Sequence, residues 1–390
     1  MNLAEQSCRS GVLAANAGGN RGEDAGARLL PTCRVYNHGL PLAGAPTEAN
    51  VTVRALQAND LARWDAYVNT HPDATFFHRA GWKRVIEEAF GHRTHFLLAE
   101  RGGEVVGVLS LAEINSRLFG HSLGSLPFCA YGGILADHDA AYRALDEAAQ
   151  ALARKLGVGA LEYRNQAAQH AHWPTKDLYV TFKKAIEPEI EANMNAIPRK
   201  QRAMVRKGIK AGLTGEIDAD TTRFFQAYSA SVHRLGTPVF SRKFFRLLKD
   251  EFGDDCEVLT ITLDGKVISS VMSFYFRDEV LPYYGGGVDA ARAVAGNDFM
   301  YWDLMRRACE RGLRVFDFGR SKRGTGSFDF KKNWGFEPTP LYYEYFLVTN
   351  SEVPEINPLN PKYRLFILAW KKMPLALANA IGPHIVKNLG

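Results

Sequence analysis

The amino-acid sequence contains a long internal repeat, which limits the folds open to the chain. RAGWKRVIEEAFG at 79–91 is matched by SRKFFRLLKDEFG at 241–253, roughly 160 residues later. In each copy a candidate helix ending in Phe-Gly precedes a hairpin that turns at Gly-Gly-Glu or Asp-Gly-Lys, a strand ending in Tyr-Gly-Gly, a longer helix and a further strand. A unit of this length is too long for a solenoid repeat and suits a duplicated domain. The sequence therefore predicts two homologous α/β lobes.

The length of 390 residues suffices for two lobes, because single hydrophobic cores stop growing near about 250 to 300 residues. Residues 1–50, rich in Gly, Ala and Asn, predict a disordered leader. The rest of the chain predicts four segments: a first lobe at 51–185, a basic inter-lobe helix at 186–213 with a break near Pro198, a second lobe at 214–350 and an amphipathic tail at 351–390.

Charge and cysteine content narrow the class of protein. The formal charge of +6 permits a polyanionic partner without requiring one, and we do not expect DNA as a partner. The five cysteines include no Cys-x-x-Cys pair, which argues against a disulfide framework or a zinc site. No stretch reaches the roughly 18 apolar residues that span a bilayer, and the N-terminus lacks the apolar core of a signal peptide. We therefore expect a cytoplasmic protein without a bound metal.

Several motifs fall short of the chemistry that they resemble. Asp-Phe-Gly at 317–319 lacks the His-Arg-Asp loop that a protein kinase places about 20 residues earlier. GRSKRGT at 319–325 begins like a phosphate loop but has Thr325 where that loop needs Lys. No Ser-His-Asp set is legible in the sequence. His170 and His172 have no third ligand beside them, so we predict a surface loop there instead of a metal site.

The segment from 317 to 334 is the most informative part of the sequence. A strand is predicted to end at Asp317, and the loop that follows carries Arg320, Lys322 and Arg323 among glycines. Such cations suit recognition of phosphate or carboxylate, although a solvated basic turn has the same sequence pattern. In the first copy the matching strand is followed by a loop without these glycines and without the Lys-Arg pair. This contrast favours chemistry concentrated in the second lobe.

The predicted inter-lobe helix carries a cluster of cations. Six fall within twelve residues, with Arg199, Arg202 and Arg206 on one helical face and lysines beside them. A solvated helix face would show this pattern, and so would a surface that contacts a nucleotide, an RNA backbone or an anionic lipid.

The motifs of the second copy resemble the FemAB-like branch of the GNAT superfamily. The resemblance rests on the Tyr-Gly-Gly strand, Asn-Asp at 297–298, DFGR at 317–320, FKKNWGFEP at 330–338 and the inter-lobe RKQRAMVRKGIKAGL. The tail is similar to that of FemAB-related proteins that accompany PEP-CTERM/XrtA exosortase systems. The resemblance covers residues 51–390. It implies a BioF-type/FemAB-like acetyltransferase domain and tandem GNAT-like (acyl-CoA N-acyltransferase) lobes, each with a mixed sheet flanked by helices.

The same resemblance implies site residues. The Phe-Lys pair of the branch falls on Phe330 and Lys331, and in peptidoglycan-bridge relatives this Lys lies at the acyl-transfer centre. Lys331 would stabilise a carbonyl oxyanion or a donor phosphate. Asp317 would orient Arg320 or take the proton of the amine, or would be a buried structural carboxylate. The other expected substrate-binding residues are Tyr283, Tyr284, Gly285, Gly286, Asn297, Lys322, Arg323, Trp334, Arg202 and Arg206.

Two donors agree with the resemblance, acyl-CoA and aminoacyl-tRNA, and neither would be a tightly bound cofactor. Acyl-CoA enzymes of the superfamily carry Arg/Gln-x-x-Gly-x-Gly/Ala, whereas ARAVAGND at 291–298 has Arg292 and Gly296 one residue too far apart. The expected function is transfer of an acyl or aminoacyl group to an amine of a cell-envelope, exopolysaccharide or exported-protein precursor.

A function of another class is also open, that of a catalytically silent module binding anionic lipid-linked glycan or RNA through the basic helix. Either function allows peripheral contact between the tail and an anionic membrane, at the inner membrane face, through Trp370, Lys371 and Lys372. Pro374 and Pro383 agree equally with ordinary docking of the tail on the lobes.

Overall fold

The structure, a computed structural model, describes residues 51–117, 119–354 and 364–389. The leader predicted at 1–50 and residues 355–363 of the predicted tail lie outside these ranges. Among the helices within them, none has the length and apolarity needed to cross a membrane.

The first half of the described chain combines antiparallel strands with three helices. Its elements are β1 (Thr52–Ala55), α1 (Leu61–Thr70), α2 (Trp82–Phe90), β2 (Thr94–Arg101), β3 (Glu104–Ser116), β4 (Gly120–Ser125), β5 (Ile134–Ala136), α3 (Asp139–Leu156), β6 (Ala160–Asn165) and β7 (Thr175–Lys176). The predicted hairpin is present, because Gly102 and Gly103 adopt φ of 60° and 87°, as a two-residue turn between β2 and β3 requires.

The second half repeats this arrangement after a pair of helices. Its elements are β8 (Tyr179–Thr181), β9 (Lys183–Ala185), α4 (Ile190–Ala196), α5 (Arg199–Lys210), β10 (Thr214–Asp218), α6 (Thr222–Leu235), α7 (Arg242–Phe252), β11 (Cys256–Leu263), β12 (Lys266–Phe276), β13 (Glu279–Gly287), α8 (Gly296–Glu310), β14 (Val315–Asp317), β15 (Ser321–Lys322), α9 (Gly326–Asn333), β16 (Thr339–Pro340), β17 (Tyr342–Leu347), α10 (Arg364–Lys372) and α11 (Leu375–Val386).

The two halves build sheets of the same design. The first sheet has the order β1-β2-β3-β4-β6-β17-β7, with β5 added to β3, and the second has the order β10-β11-β12-β13-β14-β9. Every pairing in these two sheets is antiparallel except one in each, β4 with β6 and β13 with β14. In both halves a helix, α3 or α8, connects the two parallel strands. The prediction of tandem lobes with mixed sheets flanked by helices is confirmed.

One predicted strand differs between the copies. Tyr-Gly-Gly at 284–286 lies in β13, as expected, whereas residues 131–133 lie in the loop between β4 and β5, so the prediction is wrong for the first copy. The reason is that this loop leaves the sheet. The amide of Gly132 donates to the carbonyl of Arg164 at 3.0 Å, and the Tyr131 side chain contacts Asp317 of the second lobe.

The lobes also exchange strands, so their sheets do not follow the predicted boundaries. β9, expected in the first lobe, pairs with β14 of the second sheet. β17, expected in the second lobe, pairs with β6 of the first sheet along its whole length. The helix α5, expected between the lobes, packs on α8, where Gly208 lies against Phe299. These pairings join segments that are distant in sequence, so the order of the elements along the chain does not reveal them.

The hydrophobic core of the protein crosses from one lobe to the other. One cluster joins first-lobe residues such as Phe76 and Trp82 to second-lobe residues such as Phe252 and Phe274. The Phe76 and Phe274 rings stack with their centroids 4.3 Å apart. Two further clusters lie within single lobes, one under α3 and the other under α8.

Candidate functional site

The two parallel strands in the second sheet separate to form a wedge. β13 and β14 pair over two positions only, beginning with Glu279 opposite Val315. After Asp317 the chain turns away at Gly319, whose φ is 67°. On its other side β13 has a register shift against β12 that leaves Tyr283 without a pairing partner. On the β14 side, β13 has no pairing with β14 beyond Val280, so the wedge contains backbone groups of β13 that β14 does not pair.

Lys331 reaches the edge of this wedge from α9. Its Nζ donates to the carbonyl oxygens of Gly319 at 2.9 Å and Arg320 at 3.0 Å. Burial, with the positive charge of Arg320, lowers the pKa of Lys331 to about 7, although Asp317 acts in the opposite direction. An ammonium has three N–H donors, so one remains for a ligand. Lys331 is thus close to the midpoint of its titration at neutral pH.

Asp317 lies at the centre of a buried polar cluster between the lobes. Its carboxylate accepts from the Tyr131 hydroxyl at 2.8 Å and the Gly319 amide at 2.7 Å, and it forms an ion pair with Lys183 at 3.2 Å. Lys183 also donates to Glu279 at 2.9 Å. Although burial opposes it, the charges of Asp317 and Glu279 raise the pKa of Lys183, while burial raises the pKa of Glu279.

These contacts bear on the predicted roles of Asp317. The side chain is fully buried, and its hydrogen-bond partners do not include Arg320 in the described part of the chain. The geometry therefore does not support a role for Asp317 in orienting Arg320 or in taking the proton of an amine. The arrangement agrees with the alternative of a structural carboxylate at the end of a strand.

Arg320 and Lys322 lie together over an aromatic floor. Arg320 Nη1 donates to the Tyr343 hydroxyl at 2.7 Å, and its guanidinium carbon lies 4.7 Å from the Tyr179 ring centroid. Lys322 Nζ lies 5.5 Å from the same centroid, and burial, followed by the charges of Arg320 and Lys176, lowers the pKa of Lys322 to about 8. No described carboxylate forms an ion pair with Arg320 or Lys322.

Arg323 does not join this pair. It is exposed, and its Nε donates to the Asp177 carbonyl at 3.2 Å. The geometry therefore divides the predicted cationic loop into two inward-facing cations, Arg320 and Lys322, and one outward-facing cation.

A cavity of about 430 Å³ lies between α9 and the N-terminus of α8. Its walls include Met204 of α5, Arg292, Asn297 and Phe330, and Lys331 follows Phe330 directly in sequence. Arg234 also lines the cavity, but Asp289 pairs with it at 2.6 Å. Arg292 has no ion pair among the described residues.

The loop before α8 explains how the unusual spacing after Arg292 is accommodated. Ala295, three residues after Arg292, has φ of 55°, a left-handed conformation that favours glycine. It stands where the superfamily pattern has its first Gly, and Gly296 then begins the helix. Ala295 therefore adopts a backbone conformation that suits glycine although the residue is not glycine.

Other predicted site residues lie in the core around the wedge. Gly286 is needed for packing, because a Cβ there would lie 2.6 Å from Ser231 of α6. A Cβ at Gly285 would have the Tyr301 hydroxyl as its closest neighbour, at 3.2 Å. Tyr284 and Trp334 are buried among aromatic rings. Ligand approach over Gly286 is blocked by α6, which corrects that expectation.

The basic helix α5 adjoins the cavity but not the wedge. Met204 lines the cavity, and Gln201 is hydrogen-bonded to Asp298 at the start of α8. Arg202 donates to the Asn195 side chain at 2.9 Å. Arg206 is exposed on the same helix. Neither of these two predicted arginines shares a hydrogen bond with Lys331 in the described part of the chain.

The first lobe lacks an equivalent open wedge in the described part of the chain. β4 and β6 pair over four positions, and residues 126–133 fold against the point where the strands would separate. Arg164, which occupies the place of Arg320 in the repeat, donates to the carbonyls of Leu126 and Cys129 and to Glu162. In the first lobe the arginine at this position of the repeat thus serves internal packing. In the second lobe the corresponding Arg320 has no carboxylate partner among the described residues.

Sequence reasoning missed the site residues that distant segments supply. Lys183, Glu279, Tyr179 and Tyr343 carry no motif, and only the fold brings them beside the loop after β14. Tyr131 had a signal, because it begins the Tyr-Gly-Gly of the first copy. His170, expected in a surface loop, is instead largely enclosed and contacts Glu344 and Asp146.

No group of three or more His, Cys, Asp or Glu side chains within the described ranges is arranged to hold a metal ion. The groups that contact Asp317, Lys331 and Arg320 are side chains and backbone amides and carbonyls.

Comparison with known proteins relates the chain to a family model and to solved structures. Residues 199–332 match the family model described as acetyltransferase (GNAT) domain. No curated protein matches the chain. Among solved structures, FemX has 15% sequence identity and a TM-score of 0.60, with 81% of this chain and 100% of FemX covered.

Two further solved structures share the fold at low identity. The C-terminal domain (DUF2156) of a protein described as a lysylphosphatidylglycerol synthetase from Agrobacterium fabrum has 14% identity and a TM-score of 0.52, with 75% of this chain and 92% of that domain covered. A tandem GNAT protein from the clavulanic acid biosynthesis pathway has 13% identity and a TM-score of 0.50, with 78% and 100% covered.

The matched segment contains α5, the cavity, the wedge and Lys331, and the fold around it is that of FemX and of tandem GNAT proteins. The GNAT acetyltransferase domain at 199–332 and this tandem fold indicate that the chain is an N-acyltransferase.

Proposed function

We propose that the second lobe transfers an acyl or aminoacyl group to an amine of a cell-envelope, exopolysaccharide or exported-protein precursor, with Lys331 at the transfer centre. The observation that carries this proposal is the position of Lys331. Its ammonium is bonded to the Gly319 and Arg320 carbonyls, where the chain leaves β14 at the wedge, and Phe330 before it forms a wall of the cavity at α8.

The cavity is the proposed place for the donor phosphates. Helix N-termini attract anions through free amides and the helix dipole, and α8 supplies such an end. Arg292 adds a positive charge without a carboxylate partner among the described residues. A donor held there would direct its carbonyl carbon toward the wedge. This arrangement suits acyl-CoA, the donor that GNAT-fold enzymes use, and we propose it ahead of aminoacyl-tRNA.

The proposed chemistry is direct transfer. The neutral amine nitrogen of the acceptor attacks the donor carbonyl carbon and forms the C–N bond, and the bond from that carbon to the leaving sulfur or oxygen breaks. The proton that the nitrogen loses passes to the leaving group, which departs as a thiol or hydroxyl. Lys331 as an ammonium donates a hydrogen bond to the developing oxyanion, which is the largest single contribution in many acyl transfers. Arg320 and Lys322 would hold a phosphate or carboxylate of the acceptor on the aromatic floor.

Transfer assays test this proposal directly. Purified protein is supplied with labelled acyl-CoA or aminoacyl-tRNA and with fractions of amine-bearing envelope precursors. Lys331→Ala is expected to lower transfer by about 100-fold or more. Lys332→Ala is the matched control, because Lys332 is exposed on the same helix and should leave the rate unchanged. The proposal fails if no donor supports transfer and Lys331→Ala leaves the cellular phenotype intact.

One observation favours a second candidate, the silent binding module. Arg199, Lys200, Arg206, Lys207 and Lys210 of α5 are exposed and make no ion pair among the described residues. Such a face suits a glycan phosphate or an RNA backbone. Charge reversal at Arg199, Arg206 and Lys210 would then abolish function while Lys331→Ala would not.

A further inference from the structure

The C-terminal helices α10 and α11 use only one face to hold the lobes. Trp370 and Ala378 are buried, and Gly382 lies directly against the backbone of Val239. Asn379 donates to Ser229 of α6 at 3.4 Å, and His92 contacts the Lys387 carbonyl at 2.6 Å. The inner face of the tail is therefore docked on both lobes, as one of the two sequence interpretations expected.

The outer face of the same helices is apolar and exposed. Six of the ten large apolar side chains that are exposed in the described ranges lie here, within 26 residues: Leu365, Phe366, Leu368, Leu375, Leu377 and Ile381. Leu365 is 79% exposed. Leu235 of α6, 68% exposed, adjoins them, because its neighbour Gly236 contacts Ile367 of α10. We call this set the tail patch.

Within the C-terminal helices the charged side chains have one sign. Residues 364–389 contain Arg364, Lys371, Lys372 and Lys387 but no Asp or Glu. Lys371 and Lys372 are exposed at the end of α10, and helical spacing places Lys372 on the same side as Leu365 and Leu368. An apolar stripe bordered by cations alone is typical of helices that lie in the interface of an anionic bilayer.

This charge distribution distinguishes a bilayer from a second copy of the chain. A two-fold dimer through the tail patch would bring the lysines of one copy near those of the other, and residues 364–389 contain no carboxylate side chain to pair with them. An anionic lipid surface supplies both the apolar layer and the opposite charge. The bilayer is therefore the occupant that fits both features of the patch.

We propose that the tail patch docks the protein on an anionic membrane, with α10 and α11 lying in the plane of the lipid headgroups. Leu365, Leu368, Leu377 and Ile381 enter the acyl boundary while Lys371 and Lys372 contact lipid phosphates. This inference stands independently of the transferase activity, because the patch contains none of the residues at the wedge or the cavity.

Vesicle sedimentation tests the docking. The full-length protein is mixed with phosphatidylcholine vesicles that contain or lack one-third phosphatidylglycerol. We expect strong binding to the anionic vesicles only, weakening with salt, and Lys371→Gln with Lys372→Gln should reduce that binding about 30-fold, since each cation near such a surface is worth about one kcal/mol.

Apolar variants separate insertion from simple charge attraction. Leu365→Ser with Leu368→Ser and Ile381→Ser should lose binding to anionic vesicles while transfer to a soluble acceptor is unchanged. Leu61→Ser is the matched control, an exposed leucine on α1 far along the chain from the tail, and should bind as the unaltered protein does.

Two results would overturn the inference. One is equal binding of the unaltered protein to neutral and anionic vesicles, or no binding to either. The other is a concentration-dependent dimer in sedimentation velocity that the apolar variants abolish, which would assign the tail patch to a second copy of the chain.

Discussion

Lys331 is the residue on which the proposed chemistry depends, and its environment gives it two accessible states. Two carbonyl oxygens hold its Nζ, while burial and Arg320 lower its pKa to about 7. The ammonium has a third N–H that can stabilise an oxyanion, whereas the neutral amine, with two N–H groups on the carbonyls, presents a lone pair that can take a proton. The direction of the pH dependence therefore reports which form acts.

We expect the ammonium to be the active form. With an aromatic amine acceptor that stays neutral throughout the range, kcat/KM should fall as the pH rises through about 7, since deprotonation removes the oxyanion donor. Lys331→Arg should keep measurable activity and lose this fall, because a guanidinium stays charged. Lys331→Met should cost about 100- to 1000-fold at every pH. A rate that instead rises through this pH range would assign Lys331 the role of general base.

The sequence proposed Lys331 as a site residue but could not predict its surroundings. The Phe-Lys motif and the loss of the cationic loop in the first copy both directed attention to residues 317–334. The partners of Asp317 could not be predicted in the same way, because Tyr131 lies 186 residues away from it in sequence. The sequence around Asp317 gives no sign that a tyrosine from the other lobe will donate a hydrogen bond to its carboxylate.

Strand β17 is the element that ties the end of the second copy to the first sheet. Glu344 on this strand accepts from Nδ1 of His170 at 2.9 Å and from the side chain of Asn165 at 2.7 Å. The imidazole also contacts Asp146 of α3 at 3.3 Å and stacks on Trp173 with centroids 3.8 Å apart. His170 therefore clamps strand, helix and loop together.

This clamp should make stability depend on pH. Although burial opposes it, the carboxylates of Asp146 and Glu344 raise the pKa of His170 from 6.5 to about 9. A raised folded pKa means that the stabilisation is complete below 6.5 and is lost as the pH rises through about 9. The free energy of unfolding should fall by at most about 3 kcal/mol over this range.

Denaturant titrations at several pH values measure this dependence. His170→Gln should remove it, because the side chain no longer titrates. His172→Gln, at an exposed histidine in the same loop, should leave it in place. A pH dependence that persists unchanged in His170→Gln would show that other groups cause it. The sequence could not predict the clamp, because Glu344 reaches His170 only through the strand exchange.

At the scale of the whole molecule, the duplicated sequence pattern predicted the fold of the two lobes. It could not predict the exchange of strands that joins the lobes. The two hairpins, and the longer helix and further strand that follow each of them, were predicted from local patterns that occur twice. β9 and β17 crossing between sheets, and Phe76 stacking on Phe274, are long-range pairings that no local pattern encodes. They convert two predicted lobes into a body with a shared core.

The shared core predicts that the lobes unfold together. Leu145 of α3 and Leu304 of α8 are fully buried in clusters that belong to one lobe each. Replacing either with alanine should cost about 2–5 kcal/mol. If the aromatic cluster and the exchanged strands couple the lobes, both Leu145→Ala and Leu304→Ala will lower the hydrogen-exchange protection of β6 and β13 by the same amount.

Independent lobes would give a different pattern, in which Leu145→Ala weakens only β6 and Leu304→Ala only β13. That outcome would contradict the coupling. The distinction matters for the site, because Tyr131 of the first lobe contacts Asp317 in the second. If the lobes unfold together, the contact between Tyr131 and Asp317 is present whenever the protein is folded. The backbone that holds Lys331 is then kept in place as well.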